Sequence, residues 1–158
     1  MGHEREALGT GSSRSENLDS RLLADVDAGF EHAADRANAA LRELGDGADV
    51  VDRFEAALSA VLDAAAAHPD RTRLCLLEAP GLGAAAVASK EAGLQRFVDL
   101  LDRTLARDGT PLSPLISEMV VGGVYEVMQR TVRAGDLVVL PELAGELSRL
   151  WLPALRGR

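Results

Sequence analysis

The segment LISEMVVGGVYEVM, Leu115 to Met128, decides the fold. Leu115, Ile116, Met119, Val120, Val121, Val124, Val127 and Met128 cover most of the circumference of a 3.6-residue period. Ser113 and Pro114 form a favourable cap and first-turn pair, so a helix is expected from there to about Ala134, ending at Gly135. A helix apolar on nearly every side is an interior helix. One protomer has few elements left to cover it, which predicts burial between two copies of the chain. Gly122 and Gly123 in its middle each cost about 1 kcal/mol relative to alanine. They point to a neighbouring backbone or a ligand coming close, tight packing within the monomer being the alternative.

The flanking sequence is also helical. Leu18, Leu22, Val26, Phe30, Ala33, Ala37 and Leu41 recur at spacings of three or four and define a first helix from Asn17 to near Gly45. Asp49 is placed to cap a second, with Val50, Phe54, Leu58, Val61, Leu62 and Ala65 inward, until His68-Pro69 stops it. Asp70 can cap a short third helix through Leu74, Leu77 and Glu78, and Pro80-Gly81 breaks the chain. Ala84 to Ala106 is a fourth, with Val87, Leu94, Phe97, Val98, Leu101 and Leu105 inward, and Asp108-Gly109-Thr110-Pro111 ends it. A last helix follows Leu140-Pro141 and carries Leu143, Leu147, Leu150, Trp151 and Leu155. The fold class is therefore all-α, a bundle of about six helices. Residues 1–16 are expected to be a loose or remnant segment, and 17–158 one helical domain.

Composition narrows the function. The net charge is −8, and the 17 basic residues include one lysine, Lys90, with the arginines scattered among acids. Phosphate affinity comes mainly from clustered Lys and Arg, so this chain is not expected to hold DNA by itself. The single cysteine, Cys75, excludes an intramolecular disulfide framework and leaves the cytosol as the expected location. No apolar run approaches the roughly 18 residues of a membrane span.

Motifs for catalysis and cofactors are weak. Gly81-Leu82-Gly83-Ala84-Ala85-Ala86 fits a dinucleotide-binding pattern, but nothing around it reads as the strands a βαβ unit needs. His3, His32 and His68 form no Glu-x-x-His or His-Glu-x-x-His pair, so no metal site is expected. His32 reads as a surface partner of Asp35, and His68 as a helix-end residue. Asp27, Glu31 and Asp35 make an acidic stripe of the kind that faces water. There is no Gly-x-Ser-x-Gly elbow, and Cys75 within Leu74 to Leu77 reads as a small buried hydrophobe. The chain is not expected to be an enzyme, and no cofactor is implied.

One family resemblance emerges. Gly122-Gly123-Val124-Tyr125-Glu126-Val127, then Arg130, Gly135 and Leu140-Pro141-Glu142-Leu143, resembles the last two helices of the C-terminal domain of TetR-type transcriptional regulators. Asp27-Ala28-Gly29-Phe30-Glu31 looks like that family's long connecting helix. His68-Pro69 followed by Arg73-Leu74-Cys75-Leu76-Leu77-Glu78 looks like its next turn and short helix. The family's N-terminal helix-turn-helix, with its Tyr-x-x-Phe segment, has no counterpart here, and Ser15-Glu16-Asn17-Leu18 resembles what remains of the entry to the long helix.

The resemblance implies a homodimer through the last two helices, with Leu115, Val120, Gly123, Val124, Val127, Leu143, Leu147, Leu150 and Trp151 at the interface. It also implies a small apolar effector held among the middle helices. The candidate wall is Phe54, Leu58, Leu62, Cys75, Phe97, Leu101, Met119 and Tyr125, with Glu78 as the orienting polar group. For each, ordinary core packing is the alternative. The expected function is ligand sensing and dimerisation within a regulator that reaches DNA only through a helix-turn-helix absent from this chain. The rival is an interaction protein that heterodimerises with full-length regulators and titrates them.

Overall fold

In a computed structural model of the chain, which describes residues 9–45, 47–106 and 113–156, six α-helices follow one another. They are α1 (Gly9–Leu44), α2 (Val50–Ala67), α3 (Pro69–Arg73), α4 (Ala84–Leu105), α5 (Pro114–Ala134) and α6 (Leu143–Arg156). No strand occurs among the described residues. A π turn, Leu74–Glu78, and a 3-10 turn, Ala79–Leu82, link α3 to α4, and a 3-10 turn, Leu137–Glu142, precedes α6. Helix α1 starts at Gly9, upstream of Asn17 where its apolar stripe was expected to begin. Residues 1–8 and the Asp108 to Pro111 stop lie outside the described residues.

The caps follow local chemistry in part. The Asp49 carboxylate accepts from the backbone N–H groups of Val51 at 2.7 Å and Asp52 at 3.0 Å, which satisfies two orphan donors of α2. Gly45, with φ of 80°, and Gly135, with φ of 88°, close α1 and α5 in the left-handed region. Two expected caps differ. Pro69 takes the first turn of α3, leaving His68 rather than Asp70 at the cap position. Ser113 makes no side-chain cap bond to α5.

Helix α1, 36 residues and about 54 Å long at 1.5 Å per residue, is twice the length of α2. Asn17 to Arg21 on it are exposed, and Val26 is the first buried residue from Asn17 onward. Further along, α1 packs on α2 and α4, and α2 packs on α6 and the turn before it. Arg53 of α2 ties two helix ends together: its guanidinium donates to the carbonyls of Gly45 at 3.1 Å and Thr104 at 3.4 Å. Both carbonyls sit at C-terminal helix ends, where a cation is favoured. Between α4 and α5, the buried Ser117 hydroxyl donates to Asp102.

Burial falls into three apolar clusters. The largest joins α2, α4, α5 and α6 through Phe54, Leu58, Leu62, Leu101, Val120 and Leu147. A second gathers Val26, Phe30, Cys75, Ala79 and Ala86, and a third Ala37, Leu41 and Leu100. Much of the apolar surface of α5 is covered within the protomer. Val120 is buried, as is Leu147 of α6, and Val124, Val127, Leu143 and Trp151 pack against the same core. Of the residues expected at a dimer interface, Val120 and Leu147 are thus buried in the protomer, and Val124, Val127, Leu143 and Trp151 are half-buried against its core. A Cβ on Gly123 would meet the Trp151 indole at 2.6 Å, so that glycine admits a ring of its own protomer, whereas Gly122 faces open space. Among the described side chains here, Leu115, 63% exposed, and Met119, 55% exposed, on α5, Leu150, 65% exposed, on α6, and Val138 in the turn before α6 stay uncovered.

The π turn depends on a contact from α5. Pro80 has no N–H to complete the ordinary i+4 bond to the Leu76 carbonyl, and Gln129 Nε2 donates to that oxygen at 2.8 Å instead. Gln129→Leu would strand the carbonyl in a partly buried place. The expected loss is about 1–3 kcal/mol, read as a lower urea midpoint at unchanged slope.

Candidate functional site

A cavity of about 140 Å³ opens where the three clusters meet. Gly29, Phe30, Ala33 and Ala37 of α1 face it from one side, and Phe54, Leu58 and Val61 of α2 from another. Leu94, Phe97, Leu101 and Thr104 of α4, Val120, Val124, Tyr125 and Met128 of α5, and Thr72, Cys75 and Leu76 complete the wall. All three phenylalanines of the chain and its one tyrosine lie here. In a chain with 3% aromatics, this places nearly all the large planar side chains around one space. Protein interiors are otherwise close-packed, and an apolar void of about 150 Å³ is large enough to take benzene.

Two glycines fix this geometry. A Cβ on Gly29 would strike the Cys75 sulfur and crowd the Arg71 stem, and one on Gly93 would strike the Phe30 ring. Their absence lets α1 come close to the π turn, and lets Phe30 lie against α4.

The polar members of the wall divide into spent and unspent donors. Thr72 Oγ1 donates to the Ala65 carbonyl at 2.8 Å, Thr104 Oγ1 to the Leu100 carbonyl at 2.7 Å, and Cys75 Sγ to the Val26 carbonyl at 3.6 Å. The Tyr125 hydroxyl is buried and has no hydrogen-bond partner. Burial raises its pKa, as do Cys75 and Glu126, so it stays a neutral donor near pH 7. Lys90 Nζ lies 5.8 Å from the centre of its ring. At the rim, His32 and His68 meet edge to face at 5.1 Å, and Arg71 stands one turn beyond His68. Of the lining residues only His68 and Arg71 are exposed, which marks the mouth.

Set against the sequence reading, Phe54, Leu58, Cys75, Phe97, Leu101 and Tyr125 line one cavity. Leu62, Glu78 and Met119 do not. Leu62 is fully buried in the neighbouring core, Glu78 is exposed on the π turn, and Met119 points to solvent from the far side of α5. His32 belongs to the rim beside His68 and not to a surface pair with Asp35. Phe30, His32, His68 and Arg71 were missed as wall residues. The available signal was the scarcity of histidine and phenylalanine in this chain, not any spacing between them. Asp27, Glu31 and Asp35 are exposed. Gly81, within the 3-10 turn, and Gly83, just after it, are exposed, and no strand stands beside them among the described residues.

Among the described residues no group of three or more His, Cys, Asp or Glu side chains is placed to hold a metal, and no helix is long and apolar enough to cross a membrane. No family model, curated protein or solved structure matches the chain.

Burial pushes the Cys75 thiol up from its ordinary 9.0 to about 11, with Arg71 opposing and Asp25 and Asp27 adding to the rise. Below about pH 9 both folded and unfolded forms carry the neutral thiol. Between pH 9 and 11 the unfolded thiol ionises first, so stability falls as pH rises. Cys75→Ala is expected to flatten the decline in urea midpoint over that window. Native Cys75 should also react slowly with iodoacetamide at pH 8 and quickly once unfolded.

Proposed function

We propose that this chain is the ligand-sensing and dimerisation domain of a TetR-like transcriptional regulator. One observation carries the reading: the chain's phenylalanines and its tyrosine converge from α1, α2, α4 and α5 on a single cavity large enough for a small molecule. Mostly apolar walls supply affinity, and the unpartnered Tyr125 hydroxyl orients the ligand. Because Phe30, Ala33 and Ala37 place α1 directly on the cavity, an occupant bears on the long helix, on which Asn17 to Arg21 are exposed. The ligand then shifts the position of α1 by its difference in affinity for the two placements. The acidic chain by itself is not expected to bind DNA.

The dimer in this reading forms on what the protomer leaves uncovered. Leu115, Met119 and Gly122 lie along one face of α5, and Leu150 is exposed on α6. Val124 faces the cavity, so a charge there would test the pocket and not the interface.

Two substitutions separate the parts. Phe97→Ala should weaken binding of apolar probes such as toluene by about tenfold, since it removes a wall ring whose contact with an aromatic probe is worth about 1 kcal/mol, and should leave the molecular mass in solution unchanged. Met119→Glu with Leu150→Glu should convert a dimer to a monomer by light scattering at micromolar concentration, with helicity and probe binding retained. A wild-type chain that is monomeric at that concentration would remove dimerisation from the reading. A chain whose cavity residues show no chemical-shift change with any apolar probe would remove ligand sensing.

A further inference from the structure

The cavity is chemically one-sided in a way that narrows the ligand class. The chain carries 25 acidic residues and a net charge of −8, yet no aspartate or glutamate lines the cavity. The ionisable nitrogen groups that do line it, His32, His68 and Arg71, sit together at its mouth. His32 comes from the middle of α1, His68 from the α2–α3 junction and Arg71 from α3, and the two imidazoles are 5.1 Å apart. The Arg71 stem lies over Gly29, where a Cβ would come within 3.2 Å of it, so a residue distant in sequence leaves room for this guanidinium. Behind this rim the wall turns apolar and aromatic at once. The hydroxyls of Thr72 and Thr104 are already committed to backbone carbonyls.

Resting on the ligand-sensing reading above, we propose that the occupant is a single-ring aromatic carboxylate, its ring among Phe30, Phe54 and Phe97 and its carboxylate at the His32, His68 and Arg71 rim. A carboxylate is an acceptor-only group, and the rim offers imidazole and guanidinium N–H donors. Arg71 can hold such a group in two parallel bonds while keeping its own charge at the solvent edge, where desolvation is least. A cation in the same place would meet the guanidinium with no acid on the wall to offset it. The space of about 140 Å³ is that of about one benzene ring, which fits a single-ring ligand.

The test uses the full chain and three probes of nearly one shape: benzoate, benzamide and toluene. Affinity is read by titration with backbone amide shifts and by calorimetry at pH 7. Benzoate is expected to bind at least about tenfold more tightly than benzamide, in keeping with a charge-assisted pair. Arg71→Gln should reduce that margin to under about threefold with benzamide affinity unchanged, and His32→Gln should reduce it in part. Arg71 is exposed, so the variant keeps the fold, which far-ultraviolet circular dichroism checks. If the neutral probes bind and benzoate binds no better, or if its margin survives both substitutions, the carboxylate assignment is overturned and the pocket reading stands. If none of the three probes moves a cavity resonance, the pocket reading itself falls and this inference with it.

Discussion

The interior depends on how near α1 is allowed to come to its neighbours. At Gly29 the backbone of α1 approaches the sulfur of Cys75 and the stem of Arg71, and at Gly93 the backbone of α4 receives the face of Phe30. A methyl group at either position would occupy space already filled. Two missing side chains therefore set the distance between the longest helix and the rest of the bundle. That distance fixes the cavity, since α1 supplies one whole side of it. The three apolar clusters around the cavity are linked by shared residues, Tyr125 between the first and second, Phe97 between the second and third and Val61 between the first and third.

The polar accounting follows from the same arrangement. Thr104 returns its donor to the preceding turn of α4, and Thr72 of α3 gives its own to the Ala65 carbonyl near the end of α2. The Leu76 carbonyl, deprived of a helical donor by Pro80, takes one from α5 through Gln129. These bonds leave the Tyr125 hydroxyl as the buried donor of the wall without a partner. An unpaired buried donor costs free energy that a fully packed core would have avoided.

Exposure tells a parallel story on the outside. A helix that is apolar around most of its circumference was expected to be buried on nearly every side. The protomer instead covers Val120, Val124 and Met128 through α2, α4 and α6, and leaves Leu115 and Met119 to solvent beside Gly122. The Trp151 ring, expected at the interface, lies against Gly123 of its own chain, and its indole N–H is buried there without a partner.

What the sequence by itself determined is local and periodic. The apolar spacing of α1, the Asp49 cap, the stops at Gly45, His68-Pro69 and Gly135, and the inward set Phe54, Leu58, Phe97 and Leu101 all follow from 3.6-residue periodicity and the conformational limits of Gly and Pro. Periodicity states which face of a helix is buried, but not which residue of that face meets a void and which meets a neighbour. Leu62 and Leu58 share one stripe of α2, and only Leu58 reaches the cavity. Met119 and Val120 are adjacent in an apolar run, and a rotation of about 100° per residue sends one to solvent and the other into the core. The tertiary structure alone decided that His32, His68 and Arg71 stand at one mouth. They are held there by the close approach of α1 to α3 at Gly29, a distance between segments far apart in sequence that no local pattern encodes.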